Sequence, residues 1–154
     1  MTPEPWDLFG LRSRRDSWLV GRVNCGGDGY EMQRLRINPH IRRREFPWLI
    51  QISVPHEEWM EEGSSEYERI QNIEREMDRL ESLLGFVTVG VLMKSSSRIW
   101  IIYAQTETVA SAGWFEKSDS KSVEVESRPD PKWIRHQALV KGAKRGRTTY
   151  ILDY

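Results

Sequence analysis

The sequence predicts an α+β sandwich. Three observations point there: period-two apolar runs, one strongly amphipathic helix, and the order in which strands and helices alternate. The runs are FPWLIQISV (46–54), FVTVGVLMK (86–94) and RIWIIYAQ (98–105). The helix is SEYERIQNIEREMDRLESLLG (65–85). A chain of 154 residues can bury one sizeable core, so a single domain is expected.

The reading divides the chain into an arm (1–15), a domain (16–140) and a basic tail (141–154). DSWLVGRVN (16–24) and YEMQRLRIN (30–38) read as strands joined by the turn cluster CGGDG, giving an N-terminal β-hairpin. NPH (38–40) breaks the second strand, because proline has no amide hydrogen to donate. In the next strand Trp48, Ile50, Ile52 and Val54 share a face, and Pro47 suits a strand start.

Tyr67, Ile70, Ile73, Met77, Leu80 and Leu84 form a helical stripe, Ser65 with Glu68 has capping-box spacing, and Gly85 is a stop. In the following hairpin Val87, Val89, Val91 and Met93 alternate with Phe86, Thr88, Gly90 and Leu92. Both faces are apolar, which places the pair centrally in the sheet. TETVASAGWFEK (106–117) reads as a second helix, SVEVES (122–127) as a strand, RPDPKW (128–133) as a turn and KWIRHQALV (132–140) as a short last helix. The tail leaves two alternatives, an extension without fixed structure or a return of Tyr150, Ile151 and Leu152 to the sheet. From the third strand onward the order is βαββαβ, the ferredoxin-like unit, with an added N-terminal hairpin and a short C-terminal helix. Both helices of such a unit pack on one face, so the arm, the tail or a partner must cover the other.

Net charge is zero but unevenly spread. Residues 1–54 carry nine basic and six acidic side chains, residues 55–82 three and ten, and residues 83–154 eleven and seven. An acidic block between basic ones can steer a charged partner, or it can simply solvate a helix face. No apolar run is long enough to cross a bilayer, and the first residues lack the apolar stretch of a secretory signal, so a cytoplasmic protein without membrane contact is expected. Cys25 is the only cysteine, which forbids an internal disulfide.

Chemistry-bearing patterns are sparse. His40, His56 and His136 form no ligand pair, HEEW at 56–59 lacks the second histidine of a zinc helix, and neither metal nor cofactor is expected. Cys25 sits in a turn with no histidine placed beside it by sequence, and no nucleophile elbow, phosphate loop or dinucleotide fingerprint occurs. These residues favour a non-enzymatic module that docks on another protein. Its candidate contact residues are Glu57, Glu58, Trp59, Glu61, Glu62 and Glu66, since acidic surface captures cationic partners and tryptophan anchors interfaces. One alternative is a nucleic-acid (RNA) binding domain gripping through Arg42, Arg43, Arg44, Lys144 and Arg145. Against it, GFVTVGVLMK carries valines where a sheet platform needs stacking rings, and arginines before a strand also serve to protect a sheet edge. A further alternative is an enzyme with an unrecognised cleft using His56, His136 or Cys25.

WLVGRVN, FPWLIQISVP, the helix ending ESLLG, GFVTVGVLMKSSSRIWIIYA and the late Asp130-Pro131 with Trp133 resemble, in that order, a bacterial domain family of unknown function. That family is related to the regulators of ribonuclease E activity of the B type. The likeness spans roughly residues 16–140 and rests on element order and short signatures. It implies a ferredoxin-like sandwich and action by binding and inhibiting another protein, such as a nuclease; the docking module read from the residues themselves is either such a regulator or an immunity protein that neutralises a toxin. It transfers no catalytic residue. The better-known relatives tend to be strongly acidic, whereas here a single segment is.

Overall fold

A computed structural model describes residues 18–24, 30–37, 39, 41–57, 61–111, 123–144 and 149–153. The predicted arm lies outside the described residues, as do Cys25 and His40. The strands are β1 (Trp18–Asn24), β2 (Tyr30–Arg36), β3 (Trp48–Pro55), β4 (Phe86–Met93), β5 (Ser97–Ala104), β6 (Glu124–Pro129) and β7 (Thr149–Asp153). The helices are α1 (Ser65–Leu84) and α2 (Ile134–Lys144), with 3-10 turns at Arg43–Glu45 and Glu107–Ser111. The protein is therefore α+β.

The strands form one sheet in the order β6-β3-β5-β4-β2-β1-β7, antiparallel at every junction. Its β6-β3-β5-β4 part has the strand order compatible with a ferredoxin-like unit. The N-terminal hairpin continues the sheet past β4, and β7 adds to β1 in the register Val20↔Ile151. Both-faces-apolar β4 and β5 indeed lie in the interior of the sheet, with residues 86–92 and 100–104 buried.

α1 covers the first face. Ile70, Ile73, Met77 and Leu80 pack against Ile50, Ile52, Val54, Trp100 and Ile102. Burying each such aliphatic side chain contributes roughly 1.5–3 kcal/mol. The N-cap is Ser64, one residue before the expected Ser65: its hydroxyl accepts from Tyr67 N at 3.2 Å. Gly85 ends the helix in the left-handed region at φ 72°, as the stop signal predicts.

Three findings correct the sequence reading. First, the strict alternation of β4 fails at a bulge: Thr88 pairs with Ile102 but Gly90 with Ile101, so Val89 is an extra residue. Val87, Val89 and Leu92 share the second face, while Val91 joins Phe86 on the first. Gly90 fits beside β2 here, since a Cβ would stand 3.3 Å from Leu35 Cδ2. Second, the described part of the expected helix 106–117 is the 3-10 turn Glu107–Ser111, with Val109 packed on the first core; residues 112–117 lie outside the described set. Short β-branched runs hold regular helix weakly. Third, the second face is covered by the chain itself. Leu49, Val87, Val89, Leu92, Ile101 and Tyr103 lie under Trp133, with Ile41, Phe46 and Leu139 packed around them.

Candidate functional site

The last helix is held to the second face by a buried polar cluster. Asp130 follows β6 directly, and its amide donates to Pro47 O at 2.7 Å. Its carboxylate caps α2: Ile134 N donates to Oδ1 at 2.9 Å and Arg135 N to Oδ2 at 3.0 Å. Tyr103, wholly buried on β5, donates its hydroxyl to the same Oδ2 at 2.7 Å and accepts from His136 N at 3.2 Å. Burial pushes the Asp130 carboxyl up, but the donors from Arg135, Tyr103 and Ile134 outweigh it and hold the group below its ordinary range. Burial, then the bond to Asp130, pushes the Tyr103 phenol up, so it remains a donor.

Trp133 lies flat on Tyr103, ring centroids 4.1 Å apart, and its indole N–H donates to Phe46 O at 3.0 Å. Its φ of 56° is a left-handed value that costs a non-glycine residue about 1–2 kcal/mol. Stacking and burial of a large ring offset that cost. The Arg43 guanidinium sits 5.2 Å above the indole. His136 is 1% exposed; its Nε2 is 2.7 Å from Arg36 O, which can only accept, so Nε2 carries the proton. Nδ1 is then a buried lone pair with no hydrogen-bond partner among the described residues. Burial lowers the imidazole pKa, the Arg36 carbonyl opposes this, and nearby Arg43 adds to the lowering. Both carboxylate oxygens, the phenol and one imidazole nitrogen are thus engaged in fixing α2.

The same sheet face opens toward the ends of β3 and β5. Gln51, Ser53, Ile99, Glu124 and Glu126 line a shallow groove of about 180 Å³. That is below the usual size of a small-molecule or cofactor site and suits a protruding side chain. Glu124 is paired with Ser53, two residues before β3 ends at Pro55 and the loop to Glu57 begins.

The residues singled out by sequence divide among different places. Glu57, Glu61 and Glu62 are exposed on that loop, and Glu58 and Trp59 lie outside the described residues. Glu66 is 8% exposed and takes a hydrogen bond from the Arg69 guanidinium. Further along α1, Glu74 meets Arg34 and Arg98, each at 3.4 Å, and Glu81 meets Arg36 at 3.1 Å. The acidic segment therefore has two parts: on the helix Glu74 and Glu81 meet arginines of the sheet while Glu66 and Glu76 pair with Arg69 and Arg79 of the helix itself, and the loop carboxylates face out. Arg42 and Arg44 are exposed, Arg43 is engaged with Trp133, Lys144 ends α2, and Arg145 is outside the described residues. His56 Nδ1 lies 2.8 Å from Glu57 O. Sequence reasoning missed Tyr103 and the roles of Asp130 and His136, although it had marked Asp130 and Trp133.

No family model matches the chain, and neither a curated protein nor a solved structure matches it. Among the described residues no helix is long and apolar enough to cross a membrane.

Proposed function

We propose that this protein is a non-enzymatic binding module that docks on a partner protein with a basic surface, as an inhibitor, regulator or toxin-neutralising protein. The observation that carries the reading is the groove beside β6, with Glu124 at its rim and the exposed Glu57, Glu61 and Glu62 on the loop at the same end of the sheet. Exposed carboxylates, Glu124 and Glu126 lining a side-chain-sized depression and Glu57, Glu61 and Glu62 on the loop after β3, suit lysines or arginines of a partner and speed encounter with it. The engagement of Tyr103, Asp130 and His136 in holding α2 supports the non-enzymatic part. The sequence resemblance to a family of unknown function, itself related to regulators that bind and inhibit other proteins, points the same way.

The nucleic-acid reading has less support. Its platform would be the sheet face opposite α1, where Tyr103 and Trp133 are stacked on each other under α2. The open remainder of that face bears Glu124 and Glu126, which repel phosphate.

The test is affinity capture with the full chain and with the variant E57K/E61K/E62K/E124K, after nuclease treatment, followed by association kinetics with the captured partner. The reading expects a basic protein whose association slows by roughly tenfold or more in the variant and in high salt. Equal capture by both proteins, or retention of nucleic acid alone, would overturn it.

A further inference from the structure

We infer that β6 pairs with β6 of a second copy of this chain, extending the sheet across a two-fold axis centred on Ser127. Among the described residues β6 is a terminal strand of the sheet, and Glu124, Glu126, Ser127, Arg128 and Pro129 are exposed on it. Which backbone groups remain open follows from the register with β3. Asp130 N donates to Pro47 O, so that pair is hydrogen-bonded. In an antiparallel ladder bonded and non-bonded pairs alternate, so Arg128, Glu126 and Glu124 turn their amides toward β3. Val125 and Ser127 turn theirs outward, and Pro129, which has no N–H, falls on the outward set, where its carbonyl still accepts.

Pairing about Ser127 then forms four ladder bonds. Ser127 N–H donates to the second copy's Ser127 O in both directions, and Val125 N–H to its Pro129 O in both directions. The same register sets Glu126 directly opposite Arg128 of the second copy, twice, at non-hydrogen-bonded positions where side chains approach most closely. Neighbouring registers lose this match. Centring on Val125 would place Glu124 against Glu126, and centring on Pro129 removes both central donors. The chosen register also sets Glu124 opposite Asp130 of the second copy, but the Asp130 carboxylate is turned inward onto the Tyr103 hydroxyl and the Ile134 and Arg135 amides, so charge and backbone complementarity still select one arrangement. The axis is perpendicular to the sheet, so both grooves would face the same side. The inference stands on the edge geometry and does not depend on the docking reading.

Sedimentation of the full chain over a concentration series tests it. The wild-type protein is expected to show a reversible monomer–dimer equilibrium. E126R alone sets arginine against arginine, R128E alone sets glutamate against glutamate, and S127P removes an outward amide while sparing the bonds to β3. Each of these is expected to remain monomeric at concentrations where the wild type is mostly dimer. The double variant E126R/R128E is expected to dimerise again, and an equimolar mixture of E126R with R128E is expected to give a heterodimer. A wild type that stays monomeric throughout, or dimers indifferent to these changes, would overturn the inference. Thermal melts show which variants are folded, and the pairing remains testable through E126R and S127P if R128E is not.

Discussion

Replacing Tyr103 by phenylalanine deletes one oxygen from the buried cluster and leaves the packing volume intact. The ring stays stacked on Trp133, so no cavity term applies. What is lost is a 2.7 Å bond to a carboxylate and the 3.2 Å bond from His136 N, a first-turn amide of α2. A bond to a charged group contributes about 1.5–3 kcal/mol, and a weak neutral one adds about 0.5 kcal/mol. Y103F should therefore destabilise the protein by about 2–3 kcal/mol, with a fall in Tm of roughly 5–10 °C for a chain of this size. Urea titration is the assay: the midpoint should move while the slope is unchanged. A double-mutant cycle with D130N should give a coupling of about 1–2 kcal/mol. A loss below about 0.5 kcal/mol, or additive effects in the cycle, would refute the view that this hydroxyl ties β5 to α2.

Three other outcomes follow from the same geometry. His136 has a lowered pKa in the fold, so it stays neutral while the unfolded chain takes up a proton; stability is full above about pH 6.5 and declines as pH falls below it. H136Q should flatten that decline in urea midpoints measured between about pH 3 and 8, whereas the loss from Asp130, also held low, should remain and begin only below about pH 4. S64A removes the cap on α1 and should cost about 1 kcal/mol in chemical denaturation. G85A forces a Cβ into a left-handed position with Gln105 Oε1 2.6 Å away, and should cost about 1–2 kcal/mol in the same assay.

Much of the framework was legible because it is written in local periodicity. The stripe from Ile70 to Leu80 and the apolar runs of β3, β4 and β5 predict elements that exist and the sheet position of the central hairpin. The misreadings arise where one residue changes the phase. The bulge at Val89 moves Val91 and Met93 to the other face, and no sequence signal separates that from unbroken alternation, although Gly90 marks a site where bulges occur. The cap moved from Ser65 to Ser64 because two adjacent serines offer the same hydroxyl. The cluster around α2 was illegible for a different reason: Tyr103 and Asp130 are 27 residues apart, and His136 and Arg36 are 100 apart. Only the fold brings them together. Charge counting showed the acidic segment but not that Glu66, Glu74 and Glu81 face the protein's own arginines.

The sheet separates two unequal hydrophobic layers. Among the described residues, thirteen buried ones make up the layer that includes α1, against seven in the layer that includes Trp133. The thinner layer is pinned by one polar cluster of Asp130, Tyr103 and His136 and by the Trp133 indole. Amide exchange should therefore proceed in two stages, with the α2 protons lost at a lower free energy than those of β3 and β5. A sub-global opening of that kind would bare the aromatic floor of the second layer while the α1 side stayed intact.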